Sequence, residues 1–140
     1  DNLFDFDLLP FVRTVEAKRP FPAIVVYDVA NFELAKQYGI VKTDAKGKIL
    51  EFLEKPQNPP TTWASCGIYW LPKEASVLLD RYLSESHNAD QPGHYMRWLA
   101  QTSSLFAVPL QGCWYDIGDL TSYEKANKLF RDKQKSLRGN

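Results

Sequence analysis

Three short segments of the chain carry residue types that could bind a divalent cation and a phosphate. Asp1 opens the chain, Asp116 lies in a second acidic segment, and Glu54 and Lys55 stand side by side between them. Carboxylates suit a hard cation such as Mg²⁺, which takes one or two protein carboxylates together with substrate phosphates. A lysine ammonium near that cation would hold a phosphate as a compact point charge. The residue types therefore predict a cation and phosphate site if the fold brings the segments together.

The composition excludes several classes of protein. Lys+Arg and Asp+Glu both number 17, and this zero net charge argues against nucleic acid or an acidic membrane as the main partner. Cys66 and Cys113 form no CxxC pair, which argues against a thiolate metal site. Each lies in an apolar run, so both are predicted to be buried thiols in a reducing cytoplasm. With neither a membrane-spanning stretch nor a signal peptide, the expected localisation is cytoplasmic.

Apolar periodicity predicts helices and strands that alternate around a β-hairpin. Helices are predicted over residues 8–18, 73–84 and 92–101, with a short helical turn at 32–38. Strands are predicted over residues 23–29, 64–71 and 105–110, and residues 112–117 extend the last strand or start another. The hairpin joins residues 39–44 and 49–54 around a polar turn. This order predicts an α/β fold in which helices pack on a mixed sheet.

The final helix has two predicted starting points. Asp119 would serve as its N-cap, or Thr121 would do so with Glu124 completing a capping box. Asp116 has a structural interpretation here as well, because a carboxylate just before a helix can cap it or form the preceding turn.

Five motifs occur in the order found in sugar-phosphate nucleotidyltransferases, which activate sugar 1-phosphates. The motifs are Asp1-Asn2-Leu3-Phe4, Tyr38-Gly39-Ile40-Val41, Glu54-Lys55-Pro56, Cys66-Gly67-Ile68-Tyr69 and Trp114-Tyr115-Asp116-Ile117-Gly118. The chain thus resembles glucose-1-phosphate thymidylyltransferases and mannose-1-phosphate guanylyltransferases from its first residue to about residue 129. Residues 90–93 and 98–99 are similar to a variant found in some prokaryotic members. The resemblance implies a partial Rossmann-like fold with a β-hairpin insert.

The resemblance implies a reaction and a catalytic set. A sugar 1-phosphate would attack a nucleoside triphosphate to give a nucleotide sugar and pyrophosphate, with these two compounds as the partners and Mg²⁺ as the cofactor. Asp1 and Asp116 match the family's two metal-binding aspartates. Lys55 matches the lysine that grips the sugar phosphate. Members of the family are often oligomers, so a homo-oligomer is compatible with the resemblance.

The resemblance also implies a sugar-binding set. Glu54 matches a carboxylate that accepts hydrogen bonds from sugar hydroxyls, and Gly39 matches a glycine whose backbone approaches the sugar. Gly67 and Tyr69 match residues beside the sugar and its phosphate. Structural interpretations stand next to these roles: Glu54 and Lys55 also suit the exposed exit of a hairpin, and either glycine suits a bulge or a turn.

One family feature is missing from this sequence. The glycine-rich, basic loop that holds the nucleotide in the family has no counterpart among the seven glycines present. Residues 1–140 are therefore predicted to be a single domain, the sugar-phosphate-binding half of a catalytic domain whose N-terminal nucleotide-binding half is absent. Such a fragment is expected to be inactive by itself. The alternative is a non-catalytic module that binds sugar phosphates or regulates a partner.

Overall fold

The computed structural model describes residues 2–85 and 91–138, with side chains as far as residue 131. The chain divides into a larger unit of residues 7–111 and a smaller unit that combines residues 1–6 with residues 112–140. In chain order the elements are β1 (Asn2–Phe4), α1 (Leu9–Glu16), β2 (Ala23–Asp28), α2 (Phe32–Ala35), β3 (Gly39–Thr43), β4 (Ile49–Glu54), β5 (Trp63–Trp70), a 3₁₀ turn (Lys73–Ala75), α3 (Ser76–Ser84), α4 (Pro92–Thr102), β6 (Phe106–Pro109), β7 (Trp114–Asp116) and α5 (Leu120–Arg138).

The larger unit is built on a five-stranded mixed sheet in the order β4-β3-β5-β2-β6. The pairing of β2 with β6 is parallel, and the remaining pairs are antiparallel. The β-branched run in β2 is buried because the strand lies inside the sheet and is covered on both faces. The α/β prediction and the predicted hairpin of β3 and β4 are confirmed.

The hairpin of β3 and β4 is held at its turn, which lies at the opposite end of β4 from its last residue, Glu54. At the turn, Asp44 Oδ1 accepts hydrogen bonds from the backbone of Lys46 (2.8 Å) and Lys48 (2.9 Å). The start of β4 then bonds the chain beside β6, since the Ile49 N–H donates to the Leu105 carbonyl over 2.8 Å. The turn end of the hairpin is therefore anchored to the rest of the sheet.

Helix α4 packs on β4 through residues at helical spacing. Tyr95, Met96, Trp98 and Leu99 are buried and share a core cluster with Phe52 of β4. Tyr82 of α3 belongs to the same cluster, and the centroids of the Tyr82 and Tyr95 rings are 5.0 Å apart. These contacts fix the N-terminal turn of α4 relative to the end of β4.

The smaller unit contains a two-stranded antiparallel sheet and one long helix. β1 pairs with β7, so that Asn2 lies opposite Asp116. The Trp114 indole N–H donates to Asn2 Oδ1 over 2.8 Å, and the Cys113 N–H donates to Asp5 Oδ1 over 2.6 Å. Residues 112–117 thus start a separate strand rather than extending β6.

Two predictions about this unit have different outcomes. Asp119 is the N-cap of α5, because its Oδ1 accepts the Ser122 N–H over 2.7 Å while Ser122 Oγ accepts the Asp119 N–H over 3.1 Å. This confirms the first of the two predicted starting points. The prediction that both thiols are buried is right for Cys66 and wrong for Cys113, which is exposed. Cys113 precedes β7 and contributes its backbone to the pairing with Asp5, so nothing requires its side chain to be covered.

Candidate functional site

Glu54, the last residue of β4, has its carboxylate between two glycines. Gly39 is its cross-strand partner on β3, and a Cβ built there would lie 3.2 Å from Glu54 Oε2 and 2.7 Å from Cζ of Phe52. On the other side, a Cβ built on Gly93 in the first turn of α4 would overlap Glu54 Oε2. Neither glycine has a positive φ, so it is the space around Glu54 and Phe52 that requires them. The carboxylate therefore occupies a slot with a defined boundary on each side.

Lys55 follows Glu54 in a backbone conformation that is unusual for a residue with a side chain. Its φ is +45°, in the left-handed region, and its N–H donates to the Tyr38 carbonyl over 3.0 Å. Such conformations cost on the order of 1 kcal/mol or more and persist where the surrounding structure holds them. The Lys55 side chain is exposed, and no carboxylate among the described residues forms an ion pair with it. Its positive charge is thus available to a ligand.

A bulge in β5 lies two residues before Tyr69. Ile24 pairs with Tyr69 and Val26 with Ser65, so one residue of β2 faces three residues of β5. Gly67 lies inside this bulge with a φ of +72°, which explains why glycine is required there. The structural interpretation of Gly67 is confirmed, and its position beside a sugar stays a prediction.

Tyr69 shares its surroundings with Glu54. Burial raises the pKa of the Tyr69 hydroxyl; the Ser65 hydroxyl partly offsets this rise, and the negative charge of Glu54 adds to it. The hydroxyl therefore remains protonated at neutral pH and can donate a hydrogen bond to an oxygen of a ligand. Gly39, Glu54, Lys55 and Tyr69 form one neighbourhood at this end of the sheet, beside the β5 bulge.

Asp116 is the last residue of β7 and is half-buried. Its carboxylate has no hydrogen-bond or ion-pair partner among the residues with described side chains. Asp1, the other predicted metal ligand, lies outside the described residues, although its neighbour Asn2 faces Asp116 across the strand pair. Because Asp116 belongs to the smaller unit and Glu54 and Lys55 to the larger one, the convergence of the three segments stays a prediction.

The acidic side chains of the described residues determine which kind of metal ion the site could hold. Within residues 2–85 and 91–131, no group of three or more His, Cys, Asp or Glu side chains could hold a metal by itself. An unpaired carboxylate such as Asp116 fits Mg²⁺, which completes its shell with water and substrate phosphate oxygens, better than it fits an ion that requires a full protein cage.

In the described part of the chain, no helix has the length and apolar character needed to cross a membrane.

Sequence patterns did not identify Gly93 and Phe52 as residues that limit the space around Glu54. The signal for Gly93 was available in part, since a glycine inside a helical pattern is unfavourable and points to a packing reason. That the reason is Glu54, 39 positions earlier in the chain, depends on how α4 packs on β4.

The chain was compared with protein families and with proteins of known sequence or structure. Residues 1–133 match the family described as "Nucleotidyl transferase". The chain is 34% identical over 131 residues to a glucose-1-phosphate adenylyltransferase of Fervidobacterium nodosum, covering 91% of the chain and 31% of the relative. It is 31% identical over 132 residues to the enzyme of the same name from Thermosipho africanus, with the same coverage. The chain thus spans about a third of the length of these relatives.

Two solved structures have a fold similar to that of this chain. A protein from Bacillus anthracis described as a glucose-1-phosphate thymidylyltransferase, in complex with sucrose, superposes with a TM-score of 0.78 at 25% identity, covering 94% of this chain and 52% of the other. A UDP-glucose pyrophosphorylase complexed with UDP-glucose superposes with a TM-score of 0.77 at 22% identity, covering 94% and 54%. The predicted Rossmann-like nucleotidyltransferase fold is confirmed by these similarities.

Proposed function

The chain belongs to the nucleotidyl transferase family, and on that premise we propose that the protein containing it transfers a nucleotidyl group to glucose 1-phosphate. The products would be a nucleoside diphosphate glucose and pyrophosphate. Glucose is the proposed sugar because it occurs in the names of the relatives and of both structural neighbours. The neighbours differ in the nucleotide that their names carry, so the base is left to the experiment.

The observation that carries this proposal is the arrangement of Glu54 and Lys55. Glu54 is confined between Gly39 and Gly93, and Lys55 is held in a left-handed conformation with its charge unpaired among the described residues. A fixed hydrogen-bond acceptor next to a free cation suits a ligand that carries hydroxyls and a phosphate. Close packing on the Phe52 ring accounts for Gly39, but a structural hairpin exit would require neither Gly93 nor the left-handed lysine.

In the proposed reaction, a phosphate oxygen of glucose 1-phosphate attacks the α-phosphorus of the nucleotide. The new phosphorus–oxygen bond forms as the bond from the α-phosphorus to the oxygen that links it to the β-phosphorus breaks, and pyrophosphate leaves with that oxygen and the electron pair. The protein's part is to position the reactants and to offset charge. Lys55 would hold the attacking phosphate, Glu54 would accept hydrogen bonds from sugar hydroxyls, and Tyr69 would donate one to a ligand oxygen.

The cofactor of this reaction is proposed to be Mg²⁺, held by Asp116 and Asp1. When bound, it would offset the negative charge that the nucleotide and sugar phosphates bring together. The unpaired, half-buried carboxylate of Asp116 supports this assignment, since a buried carboxylate is stable when a cation compensates its charge.

The test measures pyrophosphate release by the full-length protein with glucose 1-phosphate and each of ATP, UTP, dTTP and GTP. Lys55→Ala is expected to lower kcat/KM for glucose 1-phosphate by about 10²- to 10³-fold, because the attacking phosphate loses its counter-charge. Asp116→Asn is expected to lower kcat by a similar factor and to raise the Mg²⁺ concentration needed for half-maximal rate.

Matched controls are Lys73→Ala and Asp80→Asn, which change exposed residues of the same type that have no role in the proposed reaction. Both should keep wild-type rates. The proposal fails if the wild-type protein releases no pyrophosphate with any of these nucleotides, or if Lys55→Ala and Asp116→Asn remain fully active.

A further inference from the structure

Gly93 is the least expected neighbour of the candidate site. It lies in the first turn of α4, directly after Pro92, and glycine has a lower helix propensity than alanine. Its φ is not positive, so the backbone would accept other residues without strain. The cost of a glycine here therefore needs a reason outside the helix itself.

The reason is the carboxylate of Glu54. A Cβ on Gly93 would overlap Oε2 of Glu54, would lie 3.1 Å from its Cδ, and would remain 3.8 Å from the nearest atom of Phe52. The methyl group of an alanine would thus displace the carboxylate while leaving the core beneath it in ordinary contact. Because Glu54 is exposed and its end is flexible, this displacement would cost little stability.

Gly39 lies on the opposite side of the same carboxylate. A Cβ built on Gly39 would lie 3.2 Å from Oε2, so the absence of a side chain there also leaves the carboxylate its space. The two glycines together permit an orientation of the carboxylate that a Cβ on Gly93 would exclude and a Cβ on Gly39 would crowd.

We infer that Gly93 is a positioning residue: because it has no side chain, the Glu54 carboxylate can adopt the orientation that binds the sugar. The inference rests on the proposed function, in which Glu54 accepts hydrogen bonds from sugar hydroxyls. Gly93 acts through Glu54 and need not touch the substrate. The partial positive charge at the N-terminal end of α4 favours the same placement of the carboxylate.

The experiment compares Gly93→Ala, Glu54→Ala and the double variant in the full-length protein, with steady-state kinetics for each substrate. Gly93→Ala is expected to raise KM for glucose 1-phosphate on the order of tenfold, the effect of weakening hydrogen bonds to a charged group. KM for the nucleotide should stay within about twofold, and the melting temperature should not fall, since alanine favours the helix. Gln101→Ala, on the exposed surface of α4, is the control and should match wild type.

The double variant decides whether the effect passes through Glu54. Once Glu54→Ala has removed the carboxylate, adding Gly93→Ala should change KM for glucose 1-phosphate by less than about twofold. If Gly93→Ala misfolds, the double variant must recover folding, because the overlapping group is gone. Independent, multiplicative losses, an unchanged KM in Gly93→Ala, or a double variant that stays misfolded would each overturn the inference.

The same experiment separates this inference from the proposed function. A wild-type protein that releases no pyrophosphate overturns both. A wild-type protein that is active and sensitive to Glu54→Ala, with Gly93→Ala unaltered, overturns the positioning role alone.

Discussion

Glu54 and Asp116 are both carboxylates at the last residue of a strand, but the two units hold them in different ways. Glu54 lies above Phe52, in a unit whose core extends over β2, β3, β4 and α4. Asp116 ends a three-residue strand, and the buried apolar residues of its unit, within the described side chains, are Trp114 and Ala126. Packing therefore determines where β4 places Glu54, whereas backbone pairing with Asn2, 114 positions away, determines where β7 places Asp116.

The positions of two carboxylates at strand ends can therefore depend on different interactions. A position set by a packed core changes when volume is added to it, because interiors are close-packed. A position set by a short exposed strand pair depends on a few hydrogen bonds, each worth about 1 kcal/mol net. The two units should consequently respond differently to the same chemical or mutational probe.

The largest expected difference between the two units is in thiol reactivity. Each unit has one cysteine, so their reaction rates can be compared directly. Burial raises the pKa of Cys66 to about 12, whereas Cys113 is exposed. At pH 8 the thiolate fraction of Cys66 is then on the order of 10⁻⁴, since each pH unit below the pKa lowers it tenfold. Iodoacetamide should label Cys113 at least about 10³-fold faster than Cys66 in the folded protein.

Labelling is followed by mass spectrometry of the digested protein, with Cys113→Ser and Cys66→Ala as the references for each peptide. In denaturant the two rates should converge. Equal labelling rates under native conditions would contradict the difference in packing between the two units.

The raised pKa of Cys66 also affects stability. Because Cys66 ionises at a lower pH in the unfolded chain than in the folded one, the free energy of unfolding falls as the pH rises above about 8.5.

A smaller difference is expected when the same methyl group is added to each unit. In Gly39→Ala the new Cβ would meet the Phe52 ring at 2.7 Å, whereas in Gly118→Ala it would meet nothing within 4 Å. The first should lower the free energy of unfolding by about 1–3 kcal/mol, because the ring is packed in the core. The second should change it by no more than about 0.5 kcal/mol.

Urea unfolding of the full-length variants, monitored by intrinsic fluorescence, measures both values. Neither glycine has a positive φ, so the pair differs in its surroundings and not in backbone strain. A loss of stability in Gly118→Ala equal to that in Gly39→Ala would contradict the assignment of close packing to the larger unit alone.

The smallest expected effect concerns the cap of α5. The backbone N–H of Ser122 lowers the pKa of Asp119, and the Ser122 hydroxyl lowers it further. A depressed pKa means that the cap stabilises the helix above the ordinary aspartate pKa and loses this contribution as the pH falls through the lowered value. The Ser122 amide resonance should follow this titration in an NMR series, with its midpoint below that of an ordinary aspartate.

Asp119→Asn provides the matched control, because asparagine caps a helix about as well as aspartate but does not titrate. In that variant the Ser122 amide should show no midpoint in the acidic range. A Ser122 titration that persists in Asp119→Asn, or a wild-type midpoint above the ordinary aspartate value, would show that another group governs the cap.

Residue patterns were sufficient to predict most elements and the family. The apolar periodicity of α4, the β-branched run of β2 and the polar turn of the hairpin each reflect a local preference that the structure keeps. The order of the five motifs predicted the family before any geometry was known. The start of α5 at Asp119 was one of two alternatives, because both candidates satisfy the same local rule.

What the sequence determined by itself is local or compositional: which segments form helices and strands, which residues carry charge, and which family the motifs indicate. Other properties follow from the tertiary structure: the Glu54 carboxylate lies where a Cβ on Gly93 would be, Lys55 adopts a left-handed conformation, and Cys113 is exposed. The physical reason is that each of these properties depends on atoms that are distant in the sequence. Propensity and periodicity describe a segment and its solvent, whereas the space left for a side chain is set by what packs against it.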